Sequence, residues 1–475
     1  MTIRGTRFGA RVAALVCVMA IGVAAAPSAA RADTLADALV GAYKTSGLLD
    51  QNRALLRAAD EDVAAAAATL KPVLRWSTTL TQNYGRVRTA SSPASINNDD
   101  LTAAINLIGE LVLYDFGARK FRVEAAKETV LSTRAALLDI EQQVLLRAVA
   151  AYMGVIEASE FVALRENNTR LLTQEQRAAQ DRFDVGEVTR TDVALAEAQL
   201  AQARSGLAAA RGELTSAIEE YRNIVGRAPG NLRQPPSLPN IAESVDAAKA
   251  LAVRVHPQLL SAQHQVAAAD LIVAATEADM KPTISLNGRL SLSDNLSGDS
   301  YNRGGTIGLE AGQTIYQGGA LSATARRAKA RADAQRGNLH VVRNNVQQNV
   351  GNAYATLNTV RAQLAASDRQ IRSAQIAFQG IREEARLGAR TTLDVLDAEQ
   401  ALLDARSLQV SARAALYVAA YQILASTGRL TARDLGLPVQ IYDPAEYYNL
   451  VKDSPAKLSK QGKQLDRVLR ALQKD

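Results

Sequence analysis

The stretch Leu387-Gly388-Ala389-Arg390-Thr391-Thr392-Leu393-Asp394-Val395-Leu396-Asp397-Ala398-Glu399-Gln400 holds the densest set of residues able to do chemistry. Asp394 and Asp397 are three apart, so on a helix their carboxylates share a face. Two such acids repel one another unless a cation or a partner relieves them, so the pair could bind a cation. A plainer role meets the same spacing: an acid in the first helical turn, after Thr391 or Thr392 as cap, complements the helix dipole. Spacing alone leaves both open. Arg390 is in the same position, as a solvated charge or as one side of an ionic lock. Gly186 and Gly388 read as left-handed residues that end a helix.

Other chemistry is not indicated. His256, His264 and His340 stand far from any cysteine or paired acid at ligand spacing, so helix-surface roles are expected for them and a metal site is not. The chain has no G-x-S-x-G, no phosphate-cradling glycine loop and no acid pair in a plausible cleft, so neither an enzyme nor a cofactor is expected.

Residues 1–32 read as a signal peptide. Arg4, Arg7 and Arg11 precede an apolar run from Val12 to Ala26, and Ala30-Arg31-Ala32 offers a small-x-small cleavage site before Asp33. That run is short for a spanning helix. Cys17, the only cysteine, lies within it, which leaves the processed chain without a thiol. The formal net charge of +7 includes four leader arginines and no leader acid, so the processed chain is nearly neutral. No basic stripe interleaves with aromatics, and nucleic acid is not an expected partner. At 475 residues, 47% apolar but only 4% aromatic, the composition suits helix pairs better than a globule.

The elements that position these residues come in duplicate. One ungapped shift lays Tyr114 on Tyr316, Gly117 on Gly319, Tyr152 on Tyr354, Gly186 on Gly388 and Asp192-Val193 on Asp394-Val395. It also lays Glu197 on Glu399 and Gly226-Arg227 on Gly428-Arg429. Upstream a longer shift applies, pairing Leu49 with Leu259 and Lys71-Pro72 with Lys281-Pro282. The change of register falls between Pro72 and Tyr114, where a loop can vary in length. We therefore expect a first repeat over 33–230, a linker over 231–242, a second repeat over 243–437 and an irregular, partly disordered tail over 438–475.

Each repeat opens with an alanine-rich helical segment, Asp33 to Leu70 or Val245 to Met280, which Lys-Pro stops. The period then changes to two. Leu74, Trp76, Thr78 and Leu80 alternate with Arg75, Ser77, Thr79 and Thr81, and Ile284, Leu286, Leu290 and Leu292 alternate with polar residues. Return strands place Leu101, Ala103, Ile105, Leu107, Leu111 and Leu113, or Ile307, Leu309, Ala311 and Ile315, on one face. The hairpins thus occupy about 72–116 and about 282–317. After each, a helical period runs on without proline, broken only by a turn at Gly186 or Gly388. Ala118 to Val185 would make a helix roughly 100 Å long. Leu131, Ala135, Leu138, Leu145, Val149, Tyr152 and Ile156 follow a coiled-coil seam along it. The opening and return helices together match its length, so two short helices should back one long one.

No run beyond the leader reaches the eighteen or so apolar residues of a spanning helix, so any membrane segment must be β. Four strands cannot close in lipid, where edge amides left unpaired cost several kcal/mol each. Copies must then share a barrel: three give twelve strands, two give eight. Leucines, isoleucines and Trp76 would face lipid, while Arg75, Ser77, Arg289 and Ser291 would face a wet lumen.

With the block from Leu387 to Gln400 and its weaker twin Val185-Gly186-Glu187-Val188-Thr189-Arg190-Thr191-Asp192-Val193, the chain resembles the TolC family of outer-membrane export channels. The duplicated helix, hairpin, helix, helix order adds to the likeness, as does His256-Pro257, which Ser46-Gly47 replaces in the first repeat. The resemblance spans nearly all of the processed chain. It implies a membrane α+β fold: a homotrimer whose twelve-stranded β-barrel, four strands per chain, continues into a coiled-coil α-barrel closing like an iris. It implies residence in the cell outer membrane, in contact with its lipid and extending into the periplasm, as the passive exit duct of a tripartite export system. Partners would be a periplasmic adaptor (membrane fusion) protein, docking at the Gly186 and Gly388 tips, and an inner-membrane ABC or proton-driven pump. By position, Asp394 and Asp397 would form stacked carboxylate rings at the periplasmic gate, and Arg390 would tie to Thr191 and Asp192 of a neighbouring helix pair. A family tyrosine that strengthens this lock falls on Ala385, which implies a closed state held less firmly.

The alternative is a non-channel periplasmic coiled-coil scaffold, with the strands as a soluble sheet. Conductance separates the two. Leu393 to Gln400, the helix to Arg429 and Tyr442-Asp443-Pro444 look more like members serving type I protein secretion than multidrug efflux, and both uses are compatible with the sequence.

Overall fold

A computed structural model of the chain describes residues 33–88 and 94–472. The expected leader lies outside the described residues, as do 89–93 of the first polar tip. Each repeat runs helix, helix, strand, strand, helix, helix. The first comprises α1 (Leu35–Thr45), α2 (Gly47–Ala68), β1 (Val73–Val87), β2 (Ile96–Tyr114), α3 (Ala118–Asp184) and α4 (Arg190–Val225). The second comprises α5 (Val245–Val255), α6 (Pro257–Ala278), β3 (Thr283–Asn295), β4 (Tyr301–Gly312), α7 (Ala320–Arg386) and α8 (Thr392–Ser426), and α9 (Pro444–Val451) and α10 (Lys460–Leu472) follow. The two long helices have 67 residues each.

Three expectations need correction. Each opening segment is two helices, not one. Ser46 Oγ accepts the Leu49 amide at 3.3 Å and His256 Nδ1 accepts the Gln258 amide at 3.2 Å, so both residues start a new helix as N-caps, with Pro257 at the favoured first position. The breaks sit where the return helices end: a side chain at Gly226 would run into Thr45, and one at Gly428 into His256. His256 is thus a buried cap and not a surface residue. Second, the tail after Pro438 is helical. Tyr447, Val451 and Leu465 bury against Ala64 of α2, and the Tyr447 hydroxyl donates to Glu61 at 2.7 Å. Third, the coiled-coil seam is buried at Ala135 and from Leu145 through Ile156, whereas Leu131 and Leu138 are 37% and 42% exposed and their neighbours Val130 and Leu137 are buried instead. A strict seven-residue repeat drifts by about 20° per heptad around a straight helix, so the line through Leu145 and Tyr152 does not stay centred on the packed side back to Leu138 and Leu131.

The chain divides into two compact units, each drawing on both repeats. Among the described residues, unit 1 takes 33–45, 147–238 and 361–418, and unit 2 takes 46–88, 94–146, 239–360 and 419–472.

In unit 1, Tyr152 and Tyr221 are fully buried with ring centroids 6.5 Å apart. Burial of this kind contributes on the order of 2 kcal/mol per large side chain. The Tyr152 hydroxyl donates to the carbonyls of Asp33 and Arg233, tying the chain before α1 to the stretch after α4.

Unit 2 holds a four-stranded antiparallel sheet in the order β1-β2-β3-β4. Its register stacks Trp76, Leu107 and Leu290 across one face, and Ile105 beside Leu292. Leu74, Trp76 and Ile307 are 75%, 73% and 85% exposed, so nothing among the described residues covers this apolar face. The other face is polar: Arg289 and Ser291 both donate to Asn106, at 3.1 and 2.8 Å. A bulge between Val112 and Tyr114 shifts the end of β2, and Ile315 lies beyond β4.

Candidate functional site

The sequence-predicted site residues all lie in unit 1, at the α3–α4 and α7–α8 connections. Both connections are built alike. Gly186 at φ +81° and Gly388 at φ +79° end the long helices. The Gly186 and Glu187 amides donate back to Phe183 and Arg182, at 2.9 and 2.8 Å. Those of Gly388 and Ala389 donate to Ala385 and Glu384, at 3.1 and 2.9 Å. A left-handed glycine closed by this pair of bonds satisfies carbonyls that the helix end would otherwise orphan.

The next helix then starts on a capping box. Asp192 Oδ2 accepts the Thr189 amide at 2.9 Å and Thr189 Oγ1 accepts the Asp192 amide at 3.3 Å. Asp394 Oδ2 accepts the Thr391 amide at 3.0 Å and Thr391 Oγ1 accepts the Asp394 amide at 3.2 Å. Of the two candidate caps, Thr391 is the one used. Hydrogen bonds from the Thr189 hydroxyl and amide hold the Asp192 carboxyl below its ordinary range, and those from the Thr391 amide and hydroxyl do the same for Asp394.

Asp397 is exposed on the following turn of α8. Arg390 Nε donates to Glu384 Oε2 at 2.9 Å, within its own hairpin. Within this chain neither Thr191, which is exposed, nor Asp192, which is held by its cap, hydrogen-bonds to Arg390. Ala385 is buried with Phe378, Val395 and Leu402 in the contact between α7 and α8.

Sequence reasoning missed a second cluster on the same helices. Glu399 is 5% exposed and accepts from Asn168 Nδ2 at 2.8 Å, joining α8 to α3. Arg382 of α7 pairs with Glu175 of α3 at 2.9 Å, and Ser411 of α8 donates to Glu157 of α3 at 2.7 Å. Leu172, Leu200, Ala203 and Leu396 pack between these contacts. The only advance signal was that Glu399 lies in the conspicuous block; nothing local marked it as buried.

A family profile for outer membrane efflux proteins matches residues 42–227 and 250–429, two segments ending on the duplicated pair Arg227 and Arg429. The chain belongs to the outer membrane efflux protein family. It is 37% identical to the outer membrane efflux protein BepC of Brucella suis over 438 residues, covering 92% of this chain and 94% of BepC. It is 26% identical to the outer membrane protein TolC of Escherichia coli over 397 residues, covering 80% and 78% of the two chains. The fold is that of the Campylobacter jejuni CmeC outer membrane channel, with a TM-score of 0.75, 15% identity, and 89% and 90% of the two chains covered. This efflux-family chain is therefore an outer-membrane protein with a TolC-like α+β fold, and the scaffold reading is set aside.

Proposed function

We propose that the chain forms the exit duct of a tripartite export system as a homotrimer, its four strands per copy closing into one twelve-stranded barrel. The observation that carries this is the sheet. Among the described residues β1 and β4 each lack a neighbour on one side, and one face is apolar and uncovered. In lipid, such edges must pair with further copies, because unpaired backbone groups there cost several kcal/mol each. The polar face around Asn106 then lines the lumen.

Unit 1 supplies the periplasmic gate. Asp394 and Asp397 form a cation-selective constriction, Arg390 takes Thr191 and Asp192 of an adjacent helix pair as closing partners, and the Gly186 and Gly388 tips dock a periplasmic adaptor. An inner-membrane pump of the ABC or proton-driven type delivers the cargo, secreted protein or small molecules.

Purified protein reconstituted in planar bilayers is expected to be trimeric and to conduct ions; a monomer with baseline conductance overturns the reading. Crosslinking from cysteines at positions 186 and 388 in cells, followed by co-purification, identifies the adaptor and pump.

A further inference from the structure

In unit 1, α3, α7 and α8 surround a cavity of about 290 Å³, lined among others by Leu171, Phe378, Gln379, Arg382, Glu399 and Arg406. One Glu399 oxygen accepts from Asn168, while Oε2 is buried with no hydrogen-bond partner. An ionised oxygen left in this way costs far more than a neutral hydroxyl. The charged groups that face it are Glu175 from α3, Arg382 and Glu383 from α7, and Arg406 on its own helix. Among the described residues none of them forms an ion pair with Glu399, and Arg382 offsets its charge only in part. Arg382 is committed to Glu175 at 2.9 Å, and Glu383 pairs with Arg386 at 2.8 Å.

We propose that Glu399 is a proton-operated tie between the two helical hairpins. Neutral, its carboxyl packs on Asn168 and holds α8 to α3. Ionised, it draws water into the adjoining cavity or turns toward Arg382 and Arg406, and the tie slackens. Capture of Arg382 would also release Glu175, loosening α7 from α3 in the same event.

Burial pushes this carboxyl up to about 7; the Asn168 hydrogen bond opposes that rise, Glu175 adds to it, and Arg382 opposes it. The packed form thus binds the proton more tightly than the loosened one. Packing is at full strength below the ordinary carboxylate range, weakens as pH rises, and has lost this contribution above about 7. Glu399 acts as a positioning residue for the gate, and the inference rests on reading the hairpins of unit 1 as that gate.

The test is single-channel recording of the reconstituted full-length protein from about pH 5.5 to about pH 8. Wild-type resting open probability is expected to rise roughly tenfold across this range, the equivalent of one unit of proton affinity. Glu399→Gln, close to isosteric and permanently neutral, should stay flat at the wild-type acid level, and Glu197→Gln should keep the wild-type profile. A flat wild-type profile, or a Glu399→Gln channel that titrates like wild type, overturns the proposal. Should that variant not assemble, Asn168→Ala removes the donor and keeps the acid. It is expected to show the alkaline level of activity already at acid pH, and wild-type closure there overturns the tie equally. A protein that conducts at no pH defeats the channel reading instead, so the two failures are distinguishable.

Discussion

At the α3–α4 connection, Thr189 and Asp192 close a capping box behind Gly186; at the α7–α8 connection, Thr391 and Asp394 close the same box behind Gly388. Beyond these shared residues the connections part company. Where the second carries Arg390, Asp397 and the buried Glu399, the first carries Val188, Leu195 and an exposed Glu197. Divergence after duplication has kept what a helix-turn-helix tip needs in order to exist and has altered what its neighbours meet. The comparison also separates two aspartates that spacing alone had treated as a pair. Asp394 has a structural twin in Asp192, and its Oδ2 is taken by Thr391. Asp397 has no acidic twin and stands exposed with no such cap.

The largest expected effect therefore belongs to Asp397. Asp397→Ala should weaken block of the conducting trimer by multivalent cations on the order of tenfold, the loss of about 1.4 kcal/mol of binding. Asp394→Ala should weaken it much less, and the double variant should remove it. Equal losses from the two single changes would break the distinction drawn here, and unchanged block in the double variant would refute the filter.

Next come the glycines. Gly186→Ala and Gly388→Ala each force a side chain into the left-handed region, at a cost of about 1–2 kcal/mol. Faster amide hydrogen exchange over the last turn of α3 or α7 would register it, to the same degree at both tips.

Thr189→Ala and Thr391→Ala should each cost about 1 kcal/mol through the lost cap, again equally, seen as faster exchange at the start of α4 and α8. The box also titrates. Because the folded Asp192 and Asp394 carboxyls sit below their ordinary range, their contribution is present above that range and is lost as pH falls through the lowered values. Protection factors at both connections, which correct for the intrinsic pH dependence of exchange, should therefore fall on acidification, and by less in the threonine variants, whose backbone amide still donates to the aspartate.

The smallest effect is expected at Arg390. Its pair with Glu384 is half exposed, so Arg390→Ala should leave exchange protection unchanged while raising resting conductance by roughly twofold. No rise would remove Arg390 from the gate. An equal rise in Glu384→Ala would mean that the bond within the hairpin matters and that Thr191 and Asp192 do not.

Much of this protein follows from near neighbours in the chain. The period-two runs after Lys71-Pro72 and Lys281-Pro282, the uninterrupted long helices and the glycines that end them depend on contacts a few residues apart, so they were legible from the sequence. The duplication was legible for the same reason, since each repeat spells out the same local instructions. The opening-helix breaks at Ser46 and His256 were missed because each faces a return-helix glycine well over a hundred residues away in sequence. The docked tail was missed because lysine-rich composition resembles disorder until Tyr447 and Val451 find α2.

Glu197 and Glu399 state the limit most clearly. They occupy equivalent places in near-equivalent helices, yet one is solvated and the other is enclosed by three helices with an oxygen unpaired. The amino-acid sequence by itself determined the strands, the long helices and the turns that end them, because those choices are made by short-range sterics and hydrogen bonding. Which carboxylate leaves water was decided only when distant helices packed, because desolvation depends on every neighbour at once.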